Sequence, residues 1–290
     1  MNALPKYRGR LAPSPTGHLH LGHARTFWLA QQRAQANGGA LVLRNEDLDS
    51  TRFQMEFVPA MIEDLRWFGF EWQEGPDCGG QFAPYNQSER MDVYRAALDK
   101  LRAGNFIYPC TCSRKDIRSA ARAPHAEDDE VIYPGTCRAK SEVRNQKSEV
   151  GALGSGFRPP ASALRFRVPD GETISFIDGS FGEQRFVAGK DFGDFVVWRG
   201  DGVPAYQLAC VADDAAMQIT EVVRGADLLV STARQILICR ALGLTPPAFY
   251  HCPLWLDATG VRLAKRHDAL SLRTLRAGGE TPESLRRNWL

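Results

Sequence analysis

The stretch Arg10 to Ala24, RLAPSPTGHLHLGHA, decides the reading of this chain. Two prolines and a glycine break a short apolar start, two histidines stand three apart at His20 and His23, and a helix-like run follows. Pro13 and Pro15 stiffen the turn, and Gly17 lets backbone approach a ligand closely. A strand that turns into a helix in this way gathers backbone donors where the helix dipole already favours an anion. At that spacing His20 and His23 fall on neighbouring turns of one helical face, within reach of a single phosphate.

Around this string the pattern is that of a parallel sheet. Tyr7 to Ala12 reads as a first strand, Ala24 to Ala36 as a helix stopped by Asn37-Gly38-Gly39, and Leu41 to Leu43 as a brief buried strand. Strand, helix, strand is the βαβ unit, with its ligand side at the strand ends. Two further helices follow. Phe53 to Phe68 carries Phe57, Met61, Leu65 and Phe68 at spacings of three and four, and Ser88 to Arg102 repeats this through Met91, Tyr94, Leu98 and Leu101. Both stripes read as core faces. From Ile117 to Ala163 charged and small residues give no clear period, as expected of an insertion with mobile stretches. Strands are expected again at Leu164 to Val168, Ile174 to Phe176 and Phe195 to Trp198, and helices at Ala209 to Ala216 and Leu228 to Leu242.

Composition limits what such a protein does. The 290 residues exceed one average domain, and 43% hydrophobic with 24% charged residues is ordinary for a globular chain. The net charge of +2 balances 36 basic against 34 acidic residues, so any RNA contact must use a local patch. No apolar stretch approaches the roughly 20 residues that span a bilayer, and MNALPKYRGR lacks a signal-peptide core, so a cytoplasmic protein without membrane contact is expected. Seven cysteines, an odd number, favour reduced thiols or a metal site over a disulfide framework. Three thiolates at Cys110, Cys112 and Cys137 plus one more donor, Tyr133, would meet the tetrahedral requirement of zinc, with His125 or a water as the alternative fourth ligand. Cys78, Cys210, Cys239 and Cys252 read as buried or half-buried thiols.

His20-Leu21-Gly22-His23 resembles the first signature of class I aminoacyl-tRNA synthetases, the HIGH box, and the preceding RLAPSPTG resembles its glutamyl and glutaminyl branch. The resemblance implies an α/β fold. A Rossmann-like catalytic domain, 1–106 and 164–290, would carry an inserted zinc module at 107–163 holding one structural zinc ion. It also implies activation of an amino acid with ATP. Arg262-Leu263-Ala264-Lys265-Arg266 resembles the second signature, the KMSKS loop, with Arg for the first lysine and Ala for the serine. By this resemblance His20, Gly22, His23 and Lys265 bind ATP, with Mg²⁺, and His20, His23 and Lys265 stabilise the charged transition state.

The same resemblance places the amino acid. Arg10, Leu11, Ala12, Pro13 and Ser14 would line its pocket, Glu46 in RNEDLD would hold the α-ammonium, and Tyr206 and Arg224 would contact the substrate. Arg224 is the candidate for a side-chain carboxylate, because a guanidinium fork binds carboxylate bidentately. An arginine clamp rejects a neutral amide, which leaves the buried cation unpaired, so L-glutamate is expected over glutamine. Twenty-four residues follow Arg266, where a glutamyl enzyme would continue into an anticodon-reading domain. This resembles a shortened group of the glutamyl branch, monomers that make glutamyl-adenylate without tRNA and pass the glutamate to queuosine in the anticodon loop of tRNA(Asp). A conventional glutamyl enzyme with its C-terminal part elsewhere, and a silent RNA-binding paralogue, are the alternatives.

Overall fold

A computed structural model describes residues 7–49, 53–113, 115–117, 132–147, 162–254, 271–287 and 289. The expected second signature, Arg262 to Arg266, and His125 lie outside them.

The first βαβ unit forms as its sequence requires. Strand β1 (Arg8–Leu11) leads through the proline turn into helix α1 (Leu21–Ala36), and β2 (Ala40–Leu43) returns parallel to β1, pairing Arg10 with Val42. Helix α2 (Phe57–Phe68) starts four residues later than the sequence suggests, because Met55 and Glu56 form a turn ahead of it. It buries Met61, Leu65 and Phe68 and ends at Gly69, whose φ of 92° is the left-handed conformation that glycine adopts without strain. Each such fully buried side chain contributes roughly 1.5–3 kcal/mol. A 3₁₀ turn at Gln87–Glu89 occupies the expected start of the next helix, so α3 (Met91–Ala103) begins at Met91.

Three strands from separate parts of the chain then meet. Strand β3 (Ile107–Cys110) pairs antiparallel with β4 (Ala163–Phe166), and β4 with β7 (Val196–Trp198). Between β3 and β4 lies helix α4 (Thr136–Lys147), in a segment where the sequence shows no helical period. Its composition is strongly polar, so no apolar stripe marks it.

The second half of the sheet has the order β6 (Gly182–Val187), β5 (Thr173–Asp178), β9 (Ala248–Cys252), β8 (Glu221–Gly225). Helix α5 (Tyr206–Ala216) precedes β8, and α6 (Leu229–Leu242) connects β8 to β9, which run parallel. Helix α6 buries an unbroken run from Ser231 to Cys239, so it is an interior helix rather than an amphipathic one. The halves join where β1 meets β8: Thr220 donates its backbone N–H to the Arg8 carbonyl, and Arg10 reaches the Val223 carbonyl at 2.9 Å. The chain therefore departs from β1 toward β2 on one side and places β8 on the other. In an open α/β sheet, such a reversal opens a crevice at the carboxyl ends of the strands. Short helices α7 (Leu272–Ala277) and α8 (Pro282–Arg286) close the described chain, and Leu272 donates to the Leu19 carbonyl at 2.7 Å. Among the described residues no helix is long and apolar enough to cross a membrane.

Candidate active site

A cavity of about 490 Å³ opens where the sheet reverses. It collects residues just beyond the ends of four strands: Ser14 after β1, Glu46 after β2, Asp227 after β8 and Pro253 after β9. Arg10, Ala12, Pro13, Ser14, His20, Gly22, His23, Glu46, Tyr206 and Arg224, expected from the sequence to meet substrate, all line it. Leu11 does not. The strand alternates its side chains, so Arg10 and Ala12 face the cavity while Leu11 is fully buried in the core. Thr16, Arg25, Thr26 and Asp227 line the cavity without having been singled out, since each reads in sequence as an ordinary surface residue.

The two histidines meet differently from the expected arrangement on neighbouring turns. His20 is the N-cap of α1, extended at φ −111° and ψ 167°, and its Nδ1 accepts from the backbone N–H groups of Gly22 and His23 at 3.1 and 3.4 Å. His23 returns the bond: its Nδ1 accepts from the His20 N–H at 3.4 Å. This reciprocal capping stacks the rings with centroids 3.6 Å apart. Since each Nδ1 is an acceptor, each neutral ring carries its proton on Nε2, giving a matched pair of donors. Gly22 suits the cap, because a Cβ there would stand 3.1 Å from the His20 ring, close enough to press the ring out of place by a few tenths of an ångström. No acidic residue sits in the first turn of α1, so its positive end is not offset from within the helix.

The floor of the cavity is a buried ion network. Arg44 is fully buried and binds Asp214 at 2.6 Å and Glu46 at 2.9 Å. Arg90 holds Asp213 at 2.6 Å, and Gln87 and Tyr94 donate to the same carboxylate. Arg10 Nε lies 3.6 Å from Asp214. Burial alone would lower the Arg44 pKa, but Asp214 and Glu46 hold it well above the ordinary value. Burial raises the Glu46 pKa above the usual carboxylate value, although Arg44 opposes it. A cation arriving from the cavity is what would restore Glu46 to its ordinary charge balance.

Opposite in character is Arg224 on β8. Its Nε donates to His251 Nε2 at 3.2 Å, Nη2 to Thr232 at 2.6 Å and Nη1 to Tyr206 at 3.3 Å. All three partners are neutral side chains, and among the described residues no carboxylate forms a salt bridge with it. The site thus presents a buried guanidinium with no counterion among the described residues, a carboxylate on the floor, and two imidazole donors at a helix N-terminus.

A second cluster lies on the β3 sheet. The sulfurs of Cys110, Cys112 and Cys137 are all within 4.8 Å of one another, and the Tyr133 hydroxyl stands 3.5 Å from the first two. Burial raises the Cys137 thiol, yet the Thr111 N–H, the Tyr133 hydroxyl and the neighbouring thiols bring it down to about 6. Arg165 donates to Cys110 at 3.3 Å and lies over the Tyr133 ring at 4.0 Å. Three sulfurs and a hydroxyl at these spacings are a donor set that a tetrahedral, thiolate-loving ion fits, since Zn–S bonds of about 2.3 Å set the sulfurs somewhat under 4 Å apart. Of the other thiols, Cys210, Cys239 and Cys252 are buried, whereas Cys78 is exposed on a turn, against expectation.

The description "tRNA synthetases class I (E and Q), catalytic domain" matches residues 6–289. The chain belongs to this family. It is a family of ligase-type enzymes. Among similar proteins, the Glutamyl-Q tRNA(Asp) synthetase of Nitratidesulfovibrio vulgaris is 50% identical over 94% of this chain and 82% of its own length. The protein of the same name from Symbiobacterium thermophilum is also 50% identical, over 96% and 83%. A glutamate tRNA ligase crystal structure from Elizabethkingia meningosepticum, in complex with its amino acid, is 30% identical. Its TM-score is 0.74, over 90% of this chain and 52% of that one.

The capping role of His20 is measurable. His20→Ala removes both cap bonds and is expected to cost about 1 kcal/mol of stability in urea unfolding. His20→Asn, which keeps a cap acceptor, is expected to retain most of it.

Proposed function

We propose that this synthetase-family member activates L-glutamate with ATP, without tRNA, and transfers it to queuosine in the anticodon loop of tRNA(Asp). The observation that carries glutamate is Arg224, a buried guanidinium lining the cavity with only neutral partners. Glutamate supplies a carboxylate to Arg224, and its α-ammonium meets Glu46, a carboxylate whose pKa burial raises against the opposing effect of Arg44. Glutamine would leave Arg224 unpaired. Arg10, Ala12, Pro13 and Ser14 form the wall against which the acid lies, and Tyr206 closes it beside Arg224.

In the first step a carboxylate oxygen of the glutamate α-carboxyl attacks the α-phosphorus of ATP. The new O–P bond forms as the bond to the departing pyrophosphate breaks. His20 and His23 donate from Nε2 to the phosphate oxygens as charge develops, aided by the α1 N-terminus and the close backbone at Gly22. Lys265 steadies the pyrophosphate with the Mg²⁺ that accompanies ATP. The described residues that flank Lys265 in sequence are Leu254, which lines the cavity, and Ser271, which pairs with His20. Alignment of this kind is worth roughly 7–11 kcal/mol of barrier. In the second step a hydroxyl of the queuosine ring attacks the glutamyl carbonyl and AMP leaves.

The two relatives that share half of their residues with this chain, both called Glutamyl-Q tRNA(Asp) synthetase, support queuosine as acceptor. A tRNA substrate places the enzyme in the cytoplasm, and we take it to act as a monomer. Cys110, Cys112, Cys137 and Tyr133 would hold one structural zinc ion in the module 107–163, inserted between the catalytic segments 1–106 and 164–290.

Glutamate-dependent ATP–pyrophosphate exchange is expected without tRNA; exchange only on addition of tRNA(Glu) would favour a conventional glutamyl enzyme. Lys265→Ala should reduce exchange at least a hundredfold without altering the melting temperature. Labelled glutamate is expected to enter queuosine-containing tRNA(Asp) and not the queuosine-lacking form. Metal analysis after a chelator wash is expected to return one zinc per chain, and Cys112→Ser to lose it; a metal-free, fully stable protein would leave the cluster as three thiols.

A further inference from the structure

Behind Arg224 lies a polar chain that no part of the adenylation chemistry touches. His251, on β9, is fully buried, as is the side chain of Asp178 at the end of β5. Their side chains meet at 2.6 Å, His251 Nδ1 to Asp178 Oδ2. The carboxylate is itself fixed by backbone N–H groups of Ser180, Phe181 and His251. With its Nδ1–H given to Asp178, the neutral imidazole presents a lone pair at Nε2. That lone pair faces two groups of the substrate wall: Arg224 Nε at 3.2 Å and the Thr232 hydroxyl at 3.0 Å. Thr232 in turn accepts from Arg224 Nη2.

We propose that Asp178 and His251 are positioning residues for substrate selection: Asp178 fixes the His251 tautomer, and the ring's Nε2 holds the Arg224 guanidinium in the orientation that receives an acidic side chain. This rests on glutamate being the amino acid bound. Guanidinium has five N–H donors, and three are spent on His251, Thr232 and Tyr206. The two left over carry the selection. A guanidinium on its flexible stem would otherwise pivot, and a bidentate contact to carboxylate tolerates little misalignment. The partners that hold it are neutral, so they set its direction without quenching the charge that the substrate must meet.

The same geometry gives a pH response. Doubly protonated, His251 would point an Nε2–H at the Arg224 Nε–H, two cations and two donors face to face. The charged groups facing the ring are Asp178 from β5 and Arg224 from β8, with Arg10 from β1 acting at longer range; Phe176 and Phe249 supply the apolar contacts. Burial, followed by the opposed effects of Asp178 and Arg224, leaves the His251 pKa below the ordinary histidine value. The neutral ring, and so glutamate binding, is retained through neutrality and lost as pH falls through that lowered pKa.

The test is glutamate-dependent pyrophosphate exchange with His251→Phe, His251→Gln and Arg224→Ala. His251→Phe is expected to raise the glutamate KM tenfold or more while the ATP KM stays within about twofold. His251→Gln, whose amide oxygen replaces the Nε2 acceptor, should recover most of the loss. It should also lack the acidic limb of the kcat/KM profile for glutamate that the unmodified enzyme shows. Equal losses in the Phe and Gln variants would mean packing only and would overturn the proposal. An unchanged glutamate KM in His251→Phe beside a raised one in Arg224→Ala would overturn the relay alone. An unchanged KM in Arg224→Ala would overturn the glutamate reading and this inference with it. Should His251→Phe fail to fold, ring ¹⁵N shifts of the unmodified protein decide: an Nδ1–H tautomer is expected, and an Nε2–H tautomer refutes it.

Discussion

The architecture around the cavity depends on one buried cation. Arg44 follows β2 and reaches across to Asp214 near the end of α5, a contact between residues 170 positions apart, while also holding Glu46 two residues further on. It joins the first half of the sheet to a helix of the second half from inside the molecule. Removing one partner from such a pair strands an uncompensated charge, at a typical cost of about 3–5 kcal/mol. Glu46 owes its place at the cavity to this constraint, because the arginine that anchors the fold also orients the carboxylate. Arg90, Gln87 and Tyr94 converge on the adjacent Asp213 and carry the same tie to α3.

The site divides its work between rigid charge and adaptable donors. On the floor, carboxylates and guanidinium groups neutralise one another, so the space for a ligand is bounded by groups already paired. On the wall, Arg224 is held by neutral partners and keeps its full charge. At the entrance, the capped histidines present Nε2 from rings locked by backbone N–H groups. Each arrangement follows a different physical rule, and together they bring a carboxylate, a guanidinium and imidazole donors to one cavity.

Sequence reading reached what is local. The proline turn, the βαβ unit and the Asn37-Gly38-Gly39 stop after α1 are set by neighbours within a few residues, and they stand where expected. The site residues quoted from RLAPSPTG, RNEDLD and the Tyr206 and Arg224 segments converge on one cavity, except Leu11, which strand alternation turns inward. What escaped was long-range or unpatterned. Strand β3 acquires its identity only by pairing with β4 more than fifty residues later, and α4 has no apolar stripe to announce it. His251 and Asp178 are invisible for a related reason: seventy-three positions separate them, and neither belongs to a motif. The His20 geometry was misjudged because a cap residue and a first-turn residue look alike in spacing.

That cap carries an evolutionary consequence. A side chain that both starts a helix and lines the cavity cannot change to suit one of these places without unsettling the other. Asparagine would satisfy the helix and abandon the phosphate; an arginine would do the reverse. Histidine at position 20 answers to the helix through Nδ1 and to the cavity through the rest of its ring, and a Cβ at Gly22 would press on that ring at 3.1 Å.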